Sequence, residues 1–115
     1  MRKLKFRAWD DSDKEKGAYM LGPYDLTDSI FNYPDIRSLK LMQFTGLKDK
    51  NGIDIYEGDI IERSISGATP KTTDEVYFYK GSFVIGAVNF IKPLSYFFIL
   101  EVIGNIHQNP ELIKN

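Results

Sequence analysis

The sequence predicts a mainly β fold: a small SH3-like barrel or sandwich with an N-terminal β elaboration and one short C-terminal helical turn. Three observations predict it. Aromatic residues are abundant, with 8 Phe, 7 Tyr and 1 Trp against 3 Met, and such side chains suit a pleated, half-buried surface. Several short runs alternate apolar and polar residues with the period of a strand. Clusters of Gly, Asn, Asp and Pro punctuate those runs at short intervals, as turns do in small barrels and sandwiches.

Taken in order, residues 3 to 9 alternate, with Leu4, Phe6 and Ala8 on one face and Lys3, Lys5, Arg7 and Trp9 on the other. The charged stretch 10–17 reads as a turn, and Ala18 to Leu21 as a returning strand that Gly22-Pro23 should break. Within 24–38, Leu26 and Ile30 are spaced for a helical turn whose length Pro34 limits. Leu39 to Leu47 and Ile53 to Ile61 read as a hairpin around Asp49-Lys50-Asn51-Gly52, where Gly52 supplies positive φ. Gly58 should mark a bulge or a close approach in the second strand. Ser64 to Thr73 reads as a polar loop. Glu75 to Tyr79 and Ser82 to Ile91 suggest a second hairpin across Lys80-Gly81, and Tyr96 to Ile103 reads as the most buried strand. Asn109 should cap a terminal turn, with Pro110 at its first position and Glu111 at the favourable end of its dipole.

The bulk properties narrow the class of protein. At 115 residues the chain fits a single domain spanning 1–115, enough to bury about two thirds of the unfolded surface in one core. The net charge of −1 argues against a general electrostatic grip on nucleic acid or anionic lipid. The absence of cysteine excludes disulfides, thiolate zinc sites and cysteine nucleophiles, and fits a reducing cytoplasm. Lys5 and Arg7 interrupt any secretory apolar region, and Glu101 cuts the apolar run at 97–100, so no membrane association is expected.

Three segments together resemble a known family. They are Arg2 to Asp10, RKLKFRAWD; Leu41 to Gly52, LMQFTGLKDKNG, running on into Ile55 to Ile61, IYEGDII; and Val102 to Leu112, VIGNIHQNPEL. In that order and spacing they are similar to the YopX family of phage and prophage proteins. The resemblance spans the chain. It implies a mainly β fold with an SH3-like part, a bacterial or bacteriophage source and a family of unknown function, so it brings no catalytic residues with it.

The residues themselves nominate few sites. Asp10, Asp11, Asp13 and Glu15 form the densest acidic cluster, but a calcium loop starting at Asp11 would place Lys16 where glycine is needed and Gly22 where the bidentate glutamate belongs. A solvated turn is the plainer reading, and no metal site is expected. His107, the single histidine, has neither nucleophile nor orienting partner in the pattern. Glu57 and Asp59 are two residues apart, but a bend at Gly58 with Asp59 as its cap explains them without acid–base chemistry. Isolated glycines do not form a phosphate-binding loop, and no cofactor is expected.

One feature has functional colour. Lys3, Lys5 and Arg7 repeat at about 6.5–7 Å along a strand, and Trp9 adds a ring for stacking, a pattern suited to single-stranded nucleic acid. The competing reading is an edge strand guarded by lysines. The expectation is a non-enzymatic accessory protein that binds an unknown protein partner or itself. Tyr77, Phe78, Tyr79 and Phe83 support self-association, because their hairpin must present rings on both faces. Nucleic-acid binding through the basic strand is the alternative.

Overall fold

The structure, a computed structural model, describes residues 4–25, 39–64, 72–87, 90–97 and 99–113. Ten strands fill it: β1 Lys5–Asp10, β2 Tyr19–Asp25, β3 Leu39–Lys48, β4 Asp54–Tyr56, β5 Asp59–Ser64, β6 Thr72–Glu75, β7 Tyr77–Tyr79, β8 Ser82–Ala87, β9 Phe90–Pro93 and β10 Ile99–Asn105. Short 3-10 turns occupy Leu94–Tyr96 and Pro110–Ile113. The fold is mainly β, with a curled half-barrel sheet, other small sheets and the expected C-terminal turn. No helix among the described residues is long and apolar enough to cross a membrane.

Three antiparallel sheets have the orders β2-β1-β3-β4, β10-β5-β6 and β7-β8-β9. β1 therefore lies between two neighbours and is not an edge strand. Gly22-Pro23 does not end β2. The strand runs on to Asp25 past an irregularity opposite Phe6–Ala8, because β2 is the edge of its sheet, where a missing N–H costs no ladder bond. A side chain at Gly22 would meet Phe6 O and Arg7 Cα at 3.1 Å. The helical turn expected at Leu26 and Ile30, and most of the polar loop at 64–73, lie outside the described residues.

The central hairpin forms as expected, with β3 pairing β4 and Gly52 at φ +80. Its tip is held by Asp49, whose Oδ1 accepts from the Asn51 and Ile53 N–H groups at 2.8 and 2.9 Å, while Oδ2 accepts from Val102 N–H at 2.9 Å. Lys50 N–H donates to Leu100 O at 2.9 Å. The hairpin tip thus satisfies backbone groups on the outer edge of β10, which would otherwise be an open sheet edge.

The expected single strand from Ile53 to Ile61 is two strands. Tyr56-Glu57-Gly58-Asp59 is a turn, not a bulge, with Gly58 at φ +87. Added bulk at Gly58 would meet Met42 Sδ at 3.0 Å, so this is also a close approach. The turn hands the chain from the first sheet to the second. The hairpin across Lys80-Gly81 joins β7 to β8, and positive φ at both turn residues, 48 and 83, matches the twist of a two-residue hairpin.

The main core gathers Ile55, Ile61, Val76, Phe83, Ile85, Leu94, Phe97 and Leu100. Its most buried strand is β5, not β10. Asp59, Ile60 and Ile61 are all buried, whereas β10 is half-buried except at Leu100 and Asn105. β5 is the centre of its sheet and β10 the side strand, a distinction that depends on pairing and not on local hydrophobicity. Asn109 does precede the terminal turn, and its carbonyl accepts from Leu112 N–H. Its side chain, however, turns back to accept from Asn105 N–H at 3.2 Å instead of capping the turn.

Candidate functional site

The basic face of β1 is an internal seam. Lys3 lies outside the described residues. Lys5 Nζ sits 2.5 Å from Asp54 Oδ2 and 4.3 Å from the centre of the Phe44 ring. Arg7 Nη2 donates to Asp59 Oδ1 at 2.6 Å, and its guanidinium lies 4.6 Å from the Tyr56 ring centre. Trp9 is buried and stacks on His107, centroids 5.7 Å apart and planes 12° from parallel. The solvent-facing stripe that alternation suggests is therefore occupied by the protein's own anions and rings. The reason is position: Phe44, Asp54, Tyr56, Asp59 and His107, from β3, β4, β5 and the chain after β10, meet this face.

The electrostatics follow from that covering. The hydrogen bond from Lys5 to Asp54 raises the lysine pKa against the opposing effect of burial. Lys48 and Lys5 together hold the Asp54 carboxyl below its ordinary range. Burial pushes Asp59 up, opposed by the Arg7 charge and by the Tyr56 N–H that Asp59 caps at 2.7 Å. Arg7 Nε is buried without a partner. Burial lowers the His107 pKa, with Lys40 and Arg7 adding to the effect and Asp11 opposing it.

The other candidates have structural work. Asp10 accepts from Ser12 N and Oγ, and Asp13 Oδ1 from the Glu15 and Lys16 N–H groups, a pair of side-chain turns. Asp11 pairs with Lys40 at 3.0 Å. Among the described residues no three His, Cys, Asp or Glu side chains gather as a metal site would require. Glu57 Oε1 accepts from Gln43 N–H, while Asp59 points to Arg7; the two carboxylates serve different strands.

A different place looks like a binding surface. Two lobes of about 240 Å³ each meet where Leu47, Leu94 and Ser95 line both. The first lobe runs under Phe78 and Phe83 of the second hairpin; the second runs past Lys48, Asp49 and Lys50 to Phe97 and Leu100. Two of the lining side chains face water, Phe78 at 52% exposed and Leu47 at 39%; Tyr96 and Tyr79, 47% and 41% exposed, adjoin Ser95 and Phe78 in the chain but line neither lobe. Phe78 and Phe83 pair across the hairpin with centroids 5.1 Å apart; one ring is buried and the other exposed. Phe78 and Phe83 stand out in the sequence as aromatics of one hairpin, but nothing in the sequence joins Leu47 to Ser95, because the cleft exists only where the β3 tip meets the Leu94–Tyr96 turn.

The fold and its surfaces define a mainly β protein whose charged seam is internal and whose exposed Phe78 and Leu47 line one cleft. The family model described as YopX protein matches residues 5–114. The chain belongs to the YopX family. Two solved structures are similar over almost their whole length. One is protein EF1440 from Enterococcus faecalis, 30% identical, with a TM-score of 0.60, 96% of this chain and 98% of that chain covered. The other is protein yopX from Bacillus subtilis, 23% identical, with a TM-score of 0.60, 99% of this chain and 100% of that chain covered. No curated protein matches.

Proposed function

We infer that this is a non-enzymatic phage or prophage accessory protein of the bacterial cytoplasm, acting by association with another macromolecule or with its own copies. The observation that carries this reading is a cleft whose lining includes Phe78 and Leu47, 52% and 39% exposed, with the exposed Tyr96 next in the chain to its Ser95. Aromatic rings bury large areas at little entropic cost and anchor interfaces. The charged groups support the same reading, since Lys5, Arg7, Asp54 and Asp59 are spent on holding strands together.

The test has two arms. Sedimentation at micromolar concentration measures self-association, and affinity capture from an induced host, with and without nuclease, measures other partners. Replacing Phe78 and Tyr96 together by serine should lower both self-association and the yield of captured partners. Unchanged oligomeric state and unchanged capture would overturn the assignment of this face. A captured complex that nuclease dissolves and that survives the double replacement would favour nucleic acid bound elsewhere.

A further inference from the structure

Resting on the reading of the Phe78 face as an interface, we propose that its partner is a second copy of the chain, with the two β7 strands pairing antiparallel about a two-fold axis at Phe78.

The sheet edges are the first argument. Among the described residues the three sheets have six edge strands, and five carry a device that stops a neighbour from adding on. β2 has Pro23, β4 has Asp54, β6 has Asp74 and Glu75, and β9 has Lys92 and Pro93. β10 is clasped by the tip of the central hairpin. β7, Tyr77-Phe78-Tyr79, has neither charge nor proline, and its Phe78 and Tyr79 are exposed.

Hydrogen bonding is the second. Lys80-Gly81 is a two-residue turn, so Tyr79 and Ser82 beside it exchange both backbone bonds, and so do Tyr77 and Val84. Phe78 falls between them, opposite Phe83, with its N–H and C=O directed away from β8. No further backbone bond takes up either group among the described residues. A single outward-facing residue at the centre of a strand is self-complementary. About a two-fold axis, the Phe78 N–H of each copy donates to the Phe78 C=O of the other.

Side chains and charge favour a second copy over an unrelated strand. In this register Tyr79 opposes Tyr77 of the other copy, and Lys80 and Gly81 oppose its Val76 and Glu75. On one face the two Phe78 rings stand side by side, each already packed on its own Phe83 at 5.1 Å. On the other face each Tyr79 meets a Tyr77, a cross-strand aromatic pair. Lys80 Nζ lies 5.3 Å from the Tyr79 ring centre. Among the described residues Lys80 has no carboxylate partner and Glu75 no cation. Burial, and after it Glu57, raises the Glu75 pKa, as expected of a carboxylate without a counter-ion. The two-fold brings each Lys80 within one position of the other copy's Glu75, so both unpaired charges gain partners, twice. The net charge of −1 adds little general repulsion between copies.

The experiment is sedimentation equilibrium of the whole protein across the micromolar range, with amide exchange followed at Phe78. The protein should pass from monomer to dimer as concentration rises, and the Phe78 amide should exchange more slowly in the dimer. Phe78→Lys sets like charges on the axis and should weaken the dimer at least about tenfold. Lys80→Glu and Glu75→Lys should each weaken it several-fold, because the two-fold repeats every like-charge contact. Mixed in equal amounts, those two variants should form a heterodimer as tight as the native dimer, since each supplies the charges that the other lacks. Should Phe78→Lys fail to fold, the mixing experiment decides alone. A monomer throughout, a dimer that survives Phe78→Lys, an unprotected Phe78 amide, or a mixture no tighter than its components would each overturn the proposal. A monomer whose captured partners still depend on Phe78 and Tyr96 overturns this pairing alone; the broader reading fails separately, on the double replacement of those residues.

Discussion

The β1 seam and the cleft are built from the same ingredients, cations beside aromatic rings, and use them oppositely. In the seam, Lys5 and Arg7 each meet a carboxylate at 2.5–2.6 Å, and both side chains are about 85% buried. At the cleft, the Lys48 and Lys50 side chains are 62% and 44% exposed, and Lys48 shares Asp54 with Lys5 of the seam. Arg7–Asp59 joins β1 to β5 of the next sheet and Lys5–Asp54 joins β1 to β4 within its own, whereas the cleft's lysines hold more exposed pairs. A row of lysines and arginines on a strand therefore says little about binding until the strand's place in its sheet is known.

Removing one partner of the buried seam should have the largest effect. Asp59→Ala strips the Tyr56 N–H cap and leaves the Arg7 guanidinium buried without its anion, so it should cost about 3–5 kcal/mol in urea unfolding. Lys5→Glu sets a second anion against Asp54 and should cost about 2 kcal/mol; a change within about half a kcal/mol would mean the seam behaves as open surface. Gly52→Val tests the tip of the central hairpin. An added side chain meets nothing within 4 Å, so the cost is the strain of φ +80 alone, about 1 kcal/mol or more.

A smaller effect is gated by pH. The folded protein holds the His107 pKa below the ordinary 6.5, so folding favours the neutral ring. That contribution is fully present above about pH 6.5 and is lost as pH falls through the depressed folded value. The unfolding free energy of the native protein should therefore decline between pH 7 and 5 relative to His107→Phe, which keeps a ring for Trp9; parallel profiles would show that the stacked ring is insensitive to its charge. Least affected should be Lys48→Gln and Lys50→Gln, within about half a kcal/mol each. A loss as large as that of Lys5→Glu would erase the distinction between the two surfaces.

Much of the fold was legible in local pattern. Alternation located β1 and the extended run at 39–47 located β3, and the residue types at Gly52 and at Lys80-Gly81 announced their turns, because positive φ is a local demand; the single strand expected from Ser82 to Ile91 is β8 and the start of β9. What local pattern does not carry is pairing. Nothing in Lys5-Phe6-Arg7 says that its basic face will be covered, since the covering residues lie about 50 positions away at Asp54 and Asp59. For the same reason β5 outranks β10 in burial, and Pro23 is admitted to β2 because that strand is an edge. The candidate site was half visible: the aromatic run 77–83 stood out, whereas the lobes are made by Leu47 and Ser95, which are nearly fifty residues apart and individually unremarkable. Asn105 also went unseen, although its side chain accepts from the His107 and Gln108 N–H groups and shapes the last turn.

Asp49 joins a local turn to a strand that arrives 53 positions later, at Val102. In kinetic terms that clasp closes only after the intervening chain has been gathered, so the tip of the central hairpin is ordered early by its own Asn51 and Ile53 bonds and locked late by β10. Hydrogen exchange should register this as shared fate. The Lys50, Ile53 and Val102 amides, though scattered along the chain, belong to one opening event: releasing β10 frees the Lys50 and Val102 donors and loosens the carboxylate that protects Ile53. Because the same tip carries the two cleft lysines, a partner seated there would slow exchange at Val102 without touching it.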